Sequence, residues 1–176
     1  MTNDLQTTRP TVLLPAPALT SRVATARVRL PSPVGGLEVE ATEAAVVAVH
    51  WTDDATIAAT PSGLLAEARS QLEAYFAGRL RKFDLPLAPA GSSFERDVWR
   101  TMCDIAHGAT MTYGDIAGAV GGEARDVGTA CGTNPIPVVI PCHRVLGAGG
   151  RMVGYSGRGR IETKRWLLVH EGALLV

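Results

Sequence analysis

One short stretch of the sequence carries residues that could do covalent chemistry. Cys142, His143 and Arg144 directly follow Pro141, at the end of the apolar run NPIPVVIP. A cysteine reacts as its thiolate, and a nearby histidine or arginine favours that anion. Adjacent side chains of an extended chain point to opposite faces, so a Cys142–His143 contact requires a turn after Pro141 or a bridging water. The triplet is a candidate nucleophile with its base.

A catalytic histidine is normally oriented by a carboxylate. The sequence offers four candidates and does not choose among them: Asp115, Asp126, Glu162 and Glu171. A Cys–His pair alone is equally compatible with an unrelated hydrolase. It is also compatible with a buried thiol that has no chemical role, since free cysteine is among the most buried residue types.

The charge of the chain bears on its partners. The 176 residues have a formal net charge of zero, so no overall field recruits nucleic acid. Residues 125–165, however, hold seven basic residues against two acidic ones. This local excess is either a solvated basic face or a surface that contacts phosphates.

Cysteine and histidine usage indicates a reduced compartment. The three cysteines form no CxxC pair and no secretory signal precedes them, which predicts free thiols in a cytoplasmic protein. The four histidines are scattered, so we expect no zinc site and no other metal. No apolar run reaches membrane-spanning length, and we expect no membrane contact.

The elements that must position these residues form an α+β protein. Residues 1–22 are predicted to be a disordered tail rich in proline, serine and threonine. Residues 23–84 predict an amino-terminal domain with a three-strand antiparallel meander and one helix ending at Gly78. Residues 85–93 are a predicted linker, and 94–176 form a mainly helical second domain.

The second domain begins with strong local signals. Ser92 and Glu95 form a capping box that starts a helix, and Thr112 with Asp115 repeats the pattern. The segments YGDIAGAV and EARDVGTACG are joined by glycines, which predicts a helix-turn-helix. Two helices that merely pack together would give the same pattern.

The rest of the second domain is predicted from its prolines, glycines and apolar spacing. The proline-broken segment from Asn134 should be extended. A glycine-rich loop follows, and a closing helix should turn Trp166, Leu167 and Val169 inward.

Several blocks, taken in order, closely resemble the O6-alkylguanine-DNA alkyltransferases, also called methylated-DNA–protein-cysteine methyltransferases. The blocks are FERDVW, TYGDIA, NPIPVVIPCHRVLG, GYSG and KRWLLVHEGA, and the resemblance runs from about Ala26 to Gly172. It implies repair of double-stranded DNA that contains O6-alkylguanine, with no cofactor. Cys142 would accept the alkyl group irreversibly, so each molecule would act once.

The same resemblance implies roles for further residues. His143 would be a base acting through a water, Glu171 would orient it, and Asn134 would hold the active-site turn. For DNA binding it implies Tyr113 on a phosphate, Arg125 as the finger that replaces the flipped nucleotide, and a helix face of small residues. That face consists of Gly128, Thr129 and Ala130. The residues implied to line the substrate pocket are Tyr113, Val145, Tyr155 and Ser156.

The resemblance further implies a monomer that can bind DNA cooperatively and that associates with the bacterial nucleoid. Two departures from the family pattern concern DNA. The interval from Tyr113 to Arg125 is two residues shorter than usual, with Asp126 beside the finger, and the stretch from Tyr155 to Trp166 is two residues longer than usual. They predict altered DNA affinity or alkyl-size preference. The alternatives are a lesion-binding protein, which Cys142 argues against, or a self-resistance paralogue with a different substrate range.

Overall fold

The structure is a computed structural model that describes residues 26–54, 61–155 and 161–175. The predicted tail, residues 1–22, and the predicted pocket residue Ser156 lie outside these ranges. None of the helices within them is long and apolar enough to cross a membrane.

The amino-terminal half is a three-stranded antiparallel sheet covered by one helix, as predicted. Its elements are β1 (Ala26–Leu30), β2 (Gly36–Ala41), β3 (Val46–Thr52) and α1 (Gly63–Phe76). Residues Leu37, Val39 and Ala41 alternate along β2 and are buried, because successive strand side chains point to opposite faces. The helix buries Leu65 and Leu72 against this face. The two elements thus share one apolar layer.

The segment after α1 is packed, although its sequence predicts a linker. Leu85 and Leu87 are buried, and Val46 of β3 exchanges backbone hydrogen bonds of 2.9 Å with Pro86 and Ala88. The connection therefore lies along the edge of the sheet and ties the two halves together. The division into domains stays a prediction.

The described residues of the carboxy-terminal half form four α-helices and a short parallel strand pair. Its elements are α2 (Ser93–Cys103), β4 (Met111–Thr112), α3 (Tyr113–Val120), α4 (Ala124–Gly132), β5 (Val145–Leu146) and α5 (Ile161–His170). Both predicted capping boxes are present, Ser92 with Glu95 and Thr112 with Asp115. Each box satisfies amide groups that the first helical turn leaves without intrahelical partners.

The turn between α3 and α4 depends on two glycines. Gly121 ends α3 in the left-handed region, with φ 73°, where glycine has no steric penalty. Gly122 lies against the ring of Phe94, and a Cβ atom there would come within 2.5 Å of it. The short GG turn therefore seats α3 and α4 directly on α2.

The segment after α4 is a tight turn, and the prediction that it is extended is wrong. Val138 has φ 73°, unusual for a β-branched residue, and the amide of Ile140 donates to the carbonyl of Ile136 at 2.9 Å. Asn134 bridges this turn: its Nδ2 donates to the Ile140 carbonyl at 2.9 Å, and its Oδ1 accepts from the Ile136 amide at 3.0 Å. Such backbone strain persists only where surrounding contacts hold it.

The closing helix α5 completes the core. Leu167 and Leu168 are buried, whereas Trp166 and Val169 are half-buried, so the predicted inward set is only partly right. Trp166 instead stacks on His170, with ring centroids 4.8 Å apart. A single apolar cluster includes residues of the sheet, α1, α2 and α5, and this continuity fixes the two halves relative to each other.

Candidate active site

Cys142 begins a 3-10 turn, Cys142–Arg144, that directly follows Pro141. Such a turn is one of the two arrangements, with a bridging water, that would let Cys142 and His143 cooperate. The thiol residue is buried, and its amide donates to the Ile140 carbonyl at 2.9 Å. It lines a cavity of about 260 Å³. The other lining residues are Tyr113, Gly128, Cys131, Gly132, Gly154 and Tyr155.

His143 is fully buried and paired with Glu171. Its Nε2 lies 2.9 Å from Oε1 of Glu171, so Glu171 is the orienting carboxylate among the four candidates. Asp115 serves its capping box, and Asp126 and Glu162 are exposed. Because Nε2 is bound to Glu171, Nδ1 is the ring nitrogen that can exchange a proton with a neighbouring group. Within the described ranges it has no hydrogen-bond partner. Burial lowers the pKa of His143, against the opposing pull of Glu171.

Glu171 follows α5, and its carboxylate binds Tyr75 and Arg144 as well as His143. Arg144 donates through Nε to Oε2 and through Nη2 to Oε1, both at 2.8 Å. Tyr75 of α1 donates its hydroxyl to Oε1 at 2.7 Å. Burial alone would raise the pKa of Glu171, but hydrogen bonds from His143 and Arg144 outweigh it and hold that pKa well below its usual value. The carboxylate is thus a fixed negative charge behind His143.

Lys164 is a buried cation beside the cavity. Its Nζ donates to the carbonyl of Val145 at 2.6 Å and lies 3.2 Å and 3.4 Å from the carbonyls of Val153 and Gly154. It also stands 5.9 Å from the centroid of the Tyr113 ring. Burial lowers the pKa of Lys164. The lysine thus holds Val153 and Gly154, which directly precede Tyr155 of the cavity wall, close to Val145.

The remaining pocket wall is aromatic, with a second thiol. Tyr113 opens α3, and its hydroxyl lies 3.4 Å from the Val153 carbonyl; burial raises its pKa to about 12. Tyr155 packs edge-on against Trp51 of β3, with ring centroids 6.2 Å apart. Cys131 faces the same cavity as Cys142, and burial raises the pKa of its thiol. Both halves of the chain therefore support the pocket.

The predicted pocket residue Val145 is placed differently. Its side chain is fully buried and is not among the residues that line the cavity. It takes part through its main chain, since its carbonyl accepts from Lys164.

A surface groove of about 580 Å³ lies between α3 and α4. Arg125 is exposed and lines this groove together with Tyr113, Gly128 and Gly154. The last three residues also line the cavity of Cys142, so the groove and the thiol cavity are neighbours that share part of their walls. Asp126 lies in a different depression, beside Ser92 and the rest of the first turn of α2. The acid therefore does not share the groove with Arg125.

Two further predictions about the DNA surface need correction. Thr129 is exposed, but Ala130 is buried and its carbonyl accepts a hydrogen bond from Trp99 Nε1 at 2.8 Å, so its side chain belongs to the core. Of the basic residues in the 125–165 stretch, Arg144 and Lys164 are also buried and bind internal partners. The exposed described cations of this stretch are Arg125, Arg151 and Arg165.

Sequence reasoning missed two residues of the site. Lys164 stands three, four and seven residues before Leu167, Leu168 and Glu171, and this helical spacing could have placed it on the inner face. Tyr75 lies on α1, and nothing in the sequence indicates its contact with a residue 96 positions away. The described residues contain no group of three or more His, Cys, Asp or Glu side chains that could hold a metal ion.

Comparison with known protein families identifies both halves. Residues 29–89 match the ribonuclease-like domain of 6-O-methylguanine DNA methyltransferase, and residues 93–173 match the DNA-binding domain of the same family. A methylated-DNA–protein-cysteine methyltransferase of Shigella flexneri is 48% identical over 123 residues, which cover 68% of this chain and 69% of that protein. One of Methanosarcina acetivorans is 47% identical over 109 residues, 61% of this chain and 69% of that protein.

Solved structures agree with these matches. The O6-methylguanine methyltransferase of Mycobacterium tuberculosis superposes with a TM-score of 0.73 at 35% identity, covering 85% of this chain and 94% of that one. The crystal structure of the protein from the same organism in complex with DNA gives a TM-score of 0.72 at 38% identity, over 82% and 91% of the two chains.

Proposed function

The chain belongs to the 6-O-methylguanine DNA methyltransferase family, and on that premise we propose that it repairs DNA by moving an alkyl group from O6 of guanine onto the sulfur of Cys142. The observation that carries the assignment of Cys142 is its setting. Cys142 lines a cavity that adjoins the groove lined by Arg125, and the next residue, His143, is buried and paired with Glu171.

The reaction is a nucleophilic displacement at the alkyl carbon. The sulfur of Cys142 forms a bond to that carbon, the carbon–O6 bond breaks, and its electron pair stays with the guanine oxygen. The thiol gives up one proton and the released guanine takes up one, so neither an oxidant nor a metal enters the balance. The product is a thioether, which thiol exchange cannot reverse. One molecule therefore repairs one lesion.

The proton of Cys142 leaves through His143 in this proposal. Nε2 of the imidazole is committed to Glu171, which leaves Nδ1 to accept a proton, directly or through a water. Glu171 then stabilises the imidazolium that forms. Asn134 acts through the backbone, because its two hydrogen bonds hold the strained turn that presents Cys142.

The substrate must leave the base stack to reach the thiol. Extrusion of a nucleotide costs a few kcal/mol, and side chains that replace the base or bind its phosphate offset that cost. Arg125 at the groove is positioned for the first task and Tyr113, at the junction of groove and cavity, for the second. Gly128 and Thr129 present a low surface on α4 that allows close approach to the sugar-phosphate backbone. Asp126 does not line this groove; it lies with Thr129 in the depression beside the first turn of α2.

The base would be held by the walls of the cavity. Tyr113 and Tyr155 supply aromatic surface, and Lys164 holds the Val145 carbonyl and the segment that leads to Tyr155. Ser156, which follows Tyr155 directly, keeps its predicted role in reading the flipped base. We further propose that the protein acts on chromosomal DNA as a monomer and that it binds cooperatively along DNA.

The test is mass spectrometry of the intact protein and of its peptides after mixing with duplex DNA that carries one O6-methylguanine. We expect a gain of one methyl group, located on the Cys142 peptide, in amounts that never exceed one per protein molecule. The Cys142→Ser variant should gain none.

The other cysteines serve as internal controls. Burial raises the pKa of Cys103 to about 12 and that of Cys131 as well, so both stay protonated and should remain unmodified even when Cys142 is replaced. Methyl on Cys131 would refute the assignment of the acceptor. Tight binding of the modified duplex without any transfer would indicate a lesion-binding protein.

A further inference from the structure

The amino-terminal half contributes one polar group to the active site. Tyr75, on α1, donates its hydroxyl to Oε1 of Glu171 at 2.7 Å, across 96 positions of sequence. The same oxygen lies 2.9 Å from Nε2 of His143. A single carboxylate oxygen therefore connects the tyrosine to the imidazole that serves as the base in the proposed mechanism.

The position of Tyr75 is strongly determined. Its residue is 1% exposed, and its ring contacts those of Phe76, Phe83 and His170 at centroid distances of 5.2 to 5.3 Å. Its carbonyl accepts a hydrogen bond from Nε2 of His170 at 2.8 Å. Burial, together with the charge of Glu171, raises the pKa of Tyr75 far above its usual value. The hydroxyl thus remains a neutral donor across the working pH range.

We propose that Tyr75 is a positioning residue for alkyl transfer, which acts through Glu171 on His143 and so makes the amino-terminal half part of the catalytic apparatus. The inference rests on the proposed function. It adds to that function a residue that lies outside the thiol cavity and outside the DNA groove.

Two effects follow from the hydrogen bond. The first is geometric, since a carboxylate held by Tyr75 and Arg144 cannot rotate away from the imidazole. The second is electrostatic: Oε1 shares its negative charge among Tyr75, Arg144 and His143, so less of it is available to stabilise an imidazolium. His143 consequently stays neutral and able to accept a proton near neutral pH.

The other charged groups that face His143 act in known directions. Glu171 favours the imidazolium, whereas Arg144 and Lys164 oppose it. Replacement of either cation would remove a buried charge and disturb the fold. Replacement of Tyr75 by phenylalanine removes only one hydroxyl and retains the packed ring, so it isolates the contribution of the hydrogen bond.

The experiment compares the parent and Tyr75→Phe by two readouts. The first is the pH dependence of the rate of methyl transfer to Cys142 from a modified duplex. The second is an NMR titration of the His143 imidazole nitrogens in the free protein. With one donor fewer on Oε1, Glu171 stabilises the imidazolium more strongly, so the pKa of His143 should rise. We expect both the acid limb of the rate profile and the NMR midpoint to move up by about 0.5 to 1 pH unit, a modest fraction of what a hydrogen bond to a charged group is worth.

Phe76→Leu is the matched control. It alters the ring that packs on Tyr75 but touches no hydrogen bond of Glu171, so it should leave both midpoints unchanged. If the profiles of Tyr75→Phe and the parent superpose by both readouts, the hydroxyl has only a structural role and the inference is wrong.

The NMR readout also separates this inference from the proposed function. A displaced His143 titration in a protein that transfers no methyl group would leave the Tyr75 coupling intact and refute the repair assignment. If Tyr75→Phe transfers the methyl group normally and its His143 titration matches that of the parent, the repair assignment stands and the Tyr75 inference is refuted.

Discussion

The ammonium group of Lys164 lies 2.6 Å from the carbonyl oxygen of Val145, and both residues are buried. The lysine is in α5, and Val145 forms the short strand that pairs with β4 just before α3. One side chain thus links the closing helix to the strand pair that directly precedes the predicted helix-turn-helix.

Replacement of Lys164 by methionine should therefore loosen the pocket. Three carbonyls lose a charged donor, and an unsatisfied buried acceptor costs about 1–3 kcal/mol. We therefore expect a loss of about 2–4 kcal/mol in the free energy of unfolding. Methionine retains the apolar stem of the lysine, so lost packing should add little. Methyl transfer should also slow. Urea denaturation and transfer kinetics measure the two effects, and Arg165→Met, on the exposed side of the same helix, should change stability little.

Glu171 should prove critical for both stability and reaction. Glu171→Gln removes the charge that compensates the buried guanidinium of Arg144, and breaking a buried ion pair costs about 3–5 kcal/mol. Loss of the oriented base should slow methyl transfer by about 10²- to 10⁴-fold. Glu162→Gln, which changes an exposed carboxylate on α5, is the control. A Glu171→Gln protein that reacts at the parent rate would contradict the role assigned to the pair.

Acid should destabilise the protein in two stages. The pKa of His143 is lowered by burial, so below its ordinary value of about 6.5 the unfolded chain takes up a proton that the folded protein refuses, and stability falls. The pKa of Glu171 is held well below its ordinary value of about 4.3. Its contribution is therefore present above that pH and is lost as the pH falls further.

Unfolding free energies measured from pH 7.5 to 3.5 test this order. His143→Gln should flatten the decline between about pH 6.5 and 5, and Glu171→Gln should flatten the part below about pH 4.5. Constant stability of the parent between pH 7 and 5 would show that His143 does not titrate as described.

Arg125 should matter for duplex DNA and not for the chemistry. Arg125→Ala should slow methyl transfer from duplex DNA by about 10- to 100-fold, because the few kcal/mol of base extrusion are no longer offset. Transfer from the free base O6-methylguanine, which needs no extrusion, should keep its parent rate. Asp126→Asn is the neighbouring control, and its effect should be small, since Asp126 lies in a different depression. An equal loss on duplex and free base would place Arg125 in the reaction itself.

Local sequence signals predicted much of the fold. The Ser92 and Thr112 capping boxes and the three-strand meander depend on interactions within a few residues, and each is present. For Cys142 and His143 the sequence left open a turn after Pro141 or a bridging water, and the structure has the turn. The wrong prediction concerned residues 134–141. There the prolines indicated an extended chain, but Asn134 side-chain hydrogen bonds stabilise a turn with Val138 in the left-handed region.

Of the candidate site, residue spacing alone indicated only the Cys142–Arg144 triplet. Glu171 was one of four carboxylates by spacing, and the choice between them required a contact 28 positions away in sequence. Tyr75 and Lys164 could not be assigned, because buried polar groups are recognised by their partners, and those partners are brought together by packing of the two halves.

The turn at Cys142 gains its chemistry from residues that are distant in sequence, and this has a consequence for synthesis of the protein. His143 acquires its carboxylate from beyond α5, the last helix described, and that carboxylate in turn requires α1 from the amino-terminal half. Contacts of such high sequence separation form late in folding. As the chain is made from its amino terminus, Cys142 leaves the ribosome before the group that activates its base. If Cys142 reacts once only, as proposed, its thiol would remain an ordinary cysteine until the folded chain supplies the carboxylate that orients its base.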